Sequence, residues 1–266
     1  MPPSGIITLT TDFGPSSPYV AAMKGVMLRI NPRATIVDLT HAVPPQDIRS
    51  AAWTLAETTP WFPDDTIHAA VVDPGVGTAR GIVYARIGSQ HYVCPDNGLL
   101  SGLAGRCRPT TIIAVERPEF WLAEVSATFH GRDIMAPVAA HLSLGLEPSR
   151  LGGPQAMLVT PAWPEVEALP GKITGTVRSI DSFGNLITDI PRDALVGAPT
   201  DERLHVFCDE HETTGLQRTY ADQPAMTLVA IIGSSGYLEL AIVEANAAEM
   251  LGIPRGAPVV ITWESS

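Results

Sequence analysis

The chain has 266 residues and 45% hydrophobic content, enough for one large or two ordinary domains with a buried core. Its 17 basic and 28 acidic residues leave a net charge of −11, which repels nucleic acid and argues against a phosphate-tracking surface. The longest apolar runs fall well short of a membrane span, and Met1-Pro2-Pro3-Ser4-Gly5 carries neither a basic flank nor an apolar signal core. Cys94, Cys107 and Cys208 are scattered, without metal spacing, and suggest a reducing compartment. These features together predict a cytoplasmic small-molecule protein with no membrane or nucleic-acid partner and no metal site.

Ile6-Ile7-Thr8-Leu9-Thr10 is a β-type run that stops at Thr11-Asp12-Phe13-Gly14. Behind Ser17-Pro18, a cap and first-turn pair, Tyr19, Val20, Met23, Val26, Met27 and Ile30 keep helical spacing until Asn31-Pro32. Thr35 to Leu39 reads as a second strand. Ile48, Ala51, Ala52 and Leu55 mark a second helix, and Ile67 to Val72 reads as a buried strand. Gly81 to Ile87 and Thr111 to Val115 read as further strands, with an Asp96-Asn97-Gly98 turn between them. Ile134, Met135, Val138 and Leu142 mark another helix, in which Pro137 comes early enough to be tolerated. Strands alternating with helices predict an α/β N-terminal domain over residues 1–152 with a largely parallel central sheet.

Composition then changes. Pro154, Pro161, Pro164 and Pro170 interrupt any period, as in a Pro-rich linker over 153–171. From 172 to 266 the pattern becomes period-two: Leu186/Thr188/Ile190, Leu204/Val206/Cys208, Leu238/Leu240/Ile242 and Val259/Ile261/Trp263. This predicts a smaller, mainly antiparallel β C-terminal domain.

Two strand ends in the first half finish in a carboxylate before a turn, Asp12 and Asp73. In open α/β sheets ligands sit outside the carboxyl ends of strands, and a carboxylate there suits the adjacent hydroxyls of a ribose. Taken alone, Asp12 is better accounted for by an Asx turn or a helix cap. Arg80 follows Asp73 after the Gly-rich Pro74-Gly75-Val76-Gly77 loop, which either folds it back toward Asp73 or leaves it as a surface Arg beside a turn-capping Asp. Phe129-His130-Gly131-Arg132-Asp133 puts an imidazole at a helix start, suited to a small polar or anionic species, or else a locally satisfied His beside a solvated Arg–Asp pair. In the second half, Asp181-Ser182-Phe183-Gly184-Asn185 reads as a hairpin turn, in which Phe183 is discordant. Gly233-Ser234-Ser235-Gly236-Tyr237-Leu238-Glu239 is a second small-residue loop, and Tyr220 adds an aromatic face of the kind that stacks on bases. GxGxxG, Walker, CxxC, HExxH and Gly-x-Ser-x-Gly motifs are absent from the sequence.

Taken in order, Thr11-Asp12-Phe13-Gly14, Asp73-Pro74-Gly75-Val76-Gly77 with Arg80, Pro95-Asp96-Asn97-Gly98-Leu99, Phe129-His130-Gly131-Arg132-Asp133, Asp181-Ser182-Phe183-Gly184-Asn185 and Ser234-Ser235-Gly236-Tyr237-Leu238-Glu239 resemble the S-adenosyl-L-methionine hydroxide adenosyltransferase (SAM hydrolase) family, relatives of the SAM-dependent fluorinases and chlorinases. The resemblance spans about residues 6 to 263. It implies a homotrimer with active sites between the N-terminal domain of one subunit and the C-terminal domain of its neighbour. It also implies S-adenosyl-L-methionine as substrate and no cofactor.

By the same resemblance Asp12 grips the ribose diol, and Phe183, Asn185 and Tyr220 line the adenine pocket. Asp181 and Ser234 hold the methionine end, and Glu239 belongs to the substrate-binding set. Ser235 stands where the fluorinases have an arginine, a departure that leaves its contact unassigned. Asp73, Arg80 and His130 match the triad associated with water activation, in which His130 accepts or relays a proton. The implied reaction is in-line attack of water or hydroxide on ribose C5′, giving adenosine and L-methionine. Two competitors share the pocket: a chlorinase-type halogenase, and a non-catalytic sensor of S-adenosylmethionine or adenosine. In the halogenases the position of Asp73 is aromatic and that of His130 is not histidine, so Asp73 favours hydroxide over a halide.

Overall fold

The computed structural model describes residues 4–264. Met1, Pro2 and Pro3, part of the segment read for a secretory address, lie outside the described residues. The chain divides into two compact units, Met1–Ala162 and Trp163–Ser266.

The first unit holds a six-stranded mixed sheet. Its strands are β1 (Ile6–Thr11), β2 (Thr35–Thr40), β3 (Ile67–Val71), β4 (Ile82–Ile87), β5 (Gln90–Pro95) and β6 (Thr111–Ala114), in the order β2-β1-β3-β5-β4-β6. β2, β1, β3 and β5 pair in parallel; β4 runs antiparallel to both its neighbours. The helices are α1 (Pro18–Ile30), α2 (Ile48–Thr58), α3 (Ser101–Arg106) and α4 (Ala136–Ser143). One face of the sheet packs Ile7, Leu9, Ala69 and Val71 against Met23 and Met27 of α1 and Val138 of α4. The other packs Ala70, Val72 and Val83 against Ala51 and Leu55 of α2 and Leu103 of α3. A strand covered on both faces is nearly all apolar, as Ile67 to Val72 is, and its one polar member, the buried His68, pairs through Nδ1 with the Thr8 hydroxyl at 2.7 Å. Among the described residues, no helix is long and apolar enough to cross a membrane.

β5 has no counterpart among the sequence expectations. Gln-His-Tyr-Val-Cys-Pro neither alternates nor runs apolar, yet Gln90, Tyr92, Val93 and Cys94 are buried. Its polar member is satisfied inside: Gln90 Nε2 donates to the Phe62 carbonyl at 2.9 Å and Oε1 accepts from Thr66 N at 3.2 Å. A two-residue Gly88-Ser89 turn pairs Ile87 with Gln90 and makes the β4–β5 hairpin.

The second unit is an eight-stranded antiparallel sheet of β7 (Glu167–Leu169), β8 (Lys172–Ile180), β9 (Leu186–Pro191), β10 (His205–Cys208), β11 (His211–Thr214), β12 (Leu228–Ile232), β13 (Tyr237–Ile242) and β14 (Pro258–Thr262). The strand order is β11-β10-β14-β8-β9-β13-β12, with β7 on β8. The inward residues Leu186, Ile190, Val206, Leu238, Leu240, Val259 and Ile261 form its core. They are the period-two positions of the sequence. A short α-helix, α5 (Ala247–Leu251), packs on β13. Within 153–171, Gln155 N donates to the Ile112 carbonyl at 2.9 Å and Val159 N to Asp96 Oδ1 at 2.8 Å. β7 pairs with β8 at the far end of the same stretch.

Candidate active site

β1 and β3 lie side by side with Thr11 level with Val71. Asp12 and the Val72-Asp73 pair therefore leave the sheet at the same edge, the carboxyl ends of parallel strands where ligands bind in such folds. After Asp73 the chain turns tightly, with Val76 N donating to the Asp73 carbonyl at 3.2 Å and Thr78 N to the Gly75 carbonyl at 3.1 Å. Gly75 makes room for the returning side chain, since a Cβ there would stand 3.3 Å from Arg80 Cγ. Arg80 Nε donates to Asp73 Oδ1 and Oδ2 at 2.9 and 3.0 Å, and Nη2 also donates to Oδ2. The side chains are only 12% and 5% exposed, so this is a forked, largely desolvated ion pair and not a surface contact.

Arg80 Nη2 donates further to His130 Nδ1 at 2.9 Å. Two glycines bring that imidazole into reach. Gly77 has φ +77°, and a Cβ on it would meet the Ala127 carbonyl oxygen at 2.4 Å, so the Asp73 loop seats directly on the backbone leading to His130. Gly131 lies against β3, where a Cβ would meet Val71 Cγ1 at 3.1 Å and Met23 Sδ at 3.4 Å. From there Gly131–Met135 runs as a π-helical turn into α4, a wide turn that recurs at functional sites. Burial, and then the Arg80 charge, push the His130 pKa below its ordinary value, against the opposing carboxylates of Asp73 and Asp133. The Arg132–Asp133 pair exists, but Asp133 is fully buried and also accepts from Ser126 N at 2.8 Å, so it braces the loop before His130.

Asp12 does not cap α1; Ser17 does, accepting from Tyr19 N at 3.2 Å. Asp12 Oδ2 instead accepts from Gln46 N at 2.8 Å, in the loop before α2, where Gln46 takes φ +64°. Phe13, Tyr19 and Phe129 pack edge to face in a mutual trio with centroids 5.1 to 5.7 Å apart. This trio joins the Asp12 loop to the His130 loop. In the sequence Phe13 and Phe129 are members of two separate motifs and Tyr19 belongs to the helical pattern of α1. Their clustering rests on β1 and α4 contacts that no local pattern encodes. The Pro95-Asp96-Asn97-Gly98-Leu99 motif also finds its place: Asn97 Nδ2 donates to the Val72 carbonyl at 2.9 Å and Asp96 N to the Gly81 carbonyl at 2.9 Å. It thereby ties both ends of the segment bearing Asp73 and Arg80.

In the second unit, Asp181 organises its own loop. Oδ1 accepts from Phe183 N and Asn185 N, both at 2.9 Å, and Oδ2 accepts from Asn185 Nδ2 at 3.0 Å. Gly184, at φ +86°, lies so close to Asn246, the cap of α5, that a Cβ would overlap its side-chain amide. The loop is thus anchored while Phe183 stays 75% exposed. Tyr220, 42% exposed, donates its hydroxyl to Glu239 Oε1. Glu239 is buried, and burial followed by the nearby Asp181 charge raises its pKa, against the Tyr220 hydrogen bond. Tyr220 is raised in turn, first by burial and then by Glu239. Gly233 leaves space for this carboxylate, since a Cβ there would stand 2.5 Å from Glu239 Oε2. Ser234 and Ser235 are exposed in the β12–β13 turn.

A family model described as the SAM hydroxide adenosyltransferase N-terminal domain matches residues 7–152, and one described as its C-terminal domain matches residues 175–260. The chain belongs to the SAM hydroxide adenosyltransferase family. Among family relatives, an (R)-S-adenosyl-L-methionine hydrolase of Thermus thermophilus is 42% identical, over 94% of this chain and 96% of its own. A fluorinase of Actinoplanes sp. is more distant, at 30% identity over 98% of this chain and 99% of its own. A crystal structure of an uncharacterized conserved protein from Thermotoga maritima superposes with a TM-score of 0.91 at 34% identity, over 96% of this chain and 99% of that one.

The structure of this family member joins Asp73, Arg80 and His130 in one hydrogen-bonded array and places Asp12 at the same sheet edge. Within the second unit it links Asp181 with Phe183 and Asn185, and Tyr220 with Glu239. Among the described residues, no group of three or more His, Cys, Asp or Glu side chains is arranged to hold a metal ion.

Proposed function

We propose that this protein hydrolyses S-adenosyl-L-methionine to adenosine and L-methionine by in-line attack of water or hydroxide on ribose C5′. The observation that carries the reading is the Asp73–Arg80–His130 array at the carboxyl end of β3. A sulfonium is already a good leaving group, so the C5′–S bond breaks with its electron pair going to sulfur while the C5′–O bond forms. Neither a covalent enzyme intermediate nor a cofactor is needed. The enzyme's task is to hold the oxygen behind C5′, opposite the sulfur, and to favour its anionic form.

On this reading Arg80 supplies the positive charge and Asp73 fixes its orientation. Asp12, already held by Gln46 N, offers its remaining lone pairs to the ribose diol. Asn185 Nδ2 gives one hydrogen to Asp181, which leaves its second hydrogen and Oδ1 to pair with the adenine edge. The exposed rings of Phe183 and Tyr220 supply faces for the base. Glu239 holds the Tyr220 hydroxyl and so sets that ring's orientation. Asp181 and Ser234 take the methionine end, with Ser235 beside them. We place the first-unit and second-unit groups together across subunits of a cytoplasmic homotrimer, an arrangement supported by how open the Phe183 and Tyr220 faces are in a single chain.

The relatives' name specifies the R configuration at sulfur, and we extend that preference to this chain. Incubation with each resolved sulfonium epimer, with and without chloride, followed by chromatography, tests the proposal. Adenosine and methionine from the R epimer are expected. 5′-Chloro-5′-deoxyadenosine would indicate a halogenase, and tight binding without turnover a sensor; either result overturns the hydrolase reading.

A further inference from the structure

We infer that His130 acts as a hydrogen-bond donor through its Nε2–H, holding the attacking oxygen as hydroxide, and is not the base that removes its proton. This inference rests on the hydrolase reading for the identity of the oxygen, but its structural premise stands on the geometry alone. The contact at 2.9 Å joins Arg80 Nη2 to His130 Nδ1. A guanidinium carries donors only, so Nδ1 must be the acceptor and its lone pair is occupied. A neutral imidazole with Nδ1 unprotonated carries its proton on Nε2. The opposite tautomer would set an N–H against an N–H. The imidazolium would place a second positive charge 2.9 Å from the largely desolvated Arg80 guanidinium, and the downward pKa shift from burial and the Arg80 charge agrees with its exclusion.

Asp73 makes this assignment rigid. Arg80 Nε and Nη2 both donate to the carboxylate, which fixes the guanidinium plane and leaves the second Nη2 hydrogen for His130. The imidazole cannot take a proton at Nδ1 without losing Arg80, nor at Nε2, which already has one. The proton of the bound water is therefore released to solvent, and the resulting hydroxide is held by Nε2–H and the guanidinium charge. Its lone pair attacks C5′, the C5′–S electron pair passes to sulfur, and His130 ends the cycle in the state in which it began.

The test is a comparison of His130→Gln with His130→Ala. Gln places an N–H donor at the ε position and an oxygen able to accept from Arg80, but it is no base at working pH. If His130 donates, kcat for the Gln variant falls by no more than about tenfold while the Ala variant falls by about 10²–10³, as for loss of an oxyanion donor. If His130 is a general base, both fall by about 10²–10⁴ and the inference is overturned. Imidazole ¹⁵N spectra of the wild type, with the His130 signals identified as those missing from either variant, give a readout independent of turnover. A pyridine-type Nδ1 and a pyrrole-type Nε2 at neutral pH are expected, and the reverse tautomer or an imidazolium refutes the premise. Absence of adenosine from the wild type would sink the hydrolase reading, and the spectra would still decide the tautomer.

Discussion

Gly77 is the position where one added methyl group separates the architecture of the site from its chemistry. Its φ is +77°, and a Cβ on it would stand 2.4 Å from the Ala127 carbonyl oxygen. Ordinary contact begins near 3.4 Å, so Gly77→Ala forces the Asp73 loop and the backbone before His130 apart by about 1 Å. The left-handed conformation costs an alanine about 1–2 kcal/mol, and the forced displacement adds about 1–3 kcal/mol. At about 2–4 °C per kcal/mol for a unit of this size, the melting temperature drops by roughly 4–20 °C. The displacement falls between Arg80 and His130, whose bond is 2.9 Å long. A 1 Å misplacement in a catalytic array costs about 10² in rate. Thermal unfolding by circular dichroism and adenosine release by chromatography measure the two effects. Gly88→Ala is the control, because Gly88 has φ +59° in the β4–β5 turn with no heavy atom within 4 Å of the added carbon, and so isolates the conformational cost. If Gly77→Ala melted and turned over like Gly88→Ala, the close approach would not be what assembles the triad.

Asp73→Ala is expected to abolish hydrolysis in chloride-free buffer while S-adenosylmethionine affinity stays within about tenfold, because the role proposed for Asp73 is to orient Arg80 toward the attacking oxygen and not to hold the substrate. Product assay and isothermal titration check the two halves, and surviving activity would contradict the role given to the carboxylate. Acid stability should track His68, a core imidazole whose pKa burial pushes down to about 3. The unfolded chain takes up that proton from about pH 6.5 downward and the folded chain does so only near 3, so stability is present above 6.5 and is lost as pH falls between the two values. The loss reaches on the order of 4–5 kcal/mol. Urea unfolding at neutral and acid pH should show a shallower pH slope for His68→Gln than for the wild type, and equal slopes would refute the assignment.

What the sequence disclosed was whatever depends on local pattern. Ile67 to Val72 announces a doubly covered strand, Ser17-Pro18 a helix start, and the alternation after residue 172 a sheet with one buried face. β5 escaped because its buried polar residue is satisfied by Phe62 and Thr66, partners well separated from it in sequence. The Asp73–Arg80 pair stayed open between turn and site for a related reason. Only Gly75 and Gly77, read through what a Cβ would strike, show that the loop folds back onto itself and onto Ala127. The motif order supplied the family, but the meeting of Phe13, Tyr19 and Phe129, and the bracing of the loop by Asn97, are tertiary events with no signature along the chain.

The array also explains in physical terms why a carboxylate can sit in a site proposed to bind an anion. Asp73 and Arg80 nearly cancel in charge and His130 presents a neutral donor, so the site does not attract anions by net charge. On the proposed reading, its selectivity lies in hydrogen-bond pattern. Arg80 makes three contacts to the Asp73 oxygens, and a carboxylate offers about four lone-pair sites, so an acceptor remains beside donors from Arg80 and His130. Hydroxide both accepts and donates and satisfies such a mixed set. A halide only accepts; beside Asp73 it meets lone pairs to which it can give no hydrogen, and it has surrendered its hydration to get there. Substituting Asp73 by an apolar residue therefore removes the partner that hydroxide needs and the repulsion that excludes chloride in a single step. Chlorinated nucleoside from Asp73→Ala incubated in high chloride would be the direct sign that this residue sets the choice of nucleophile.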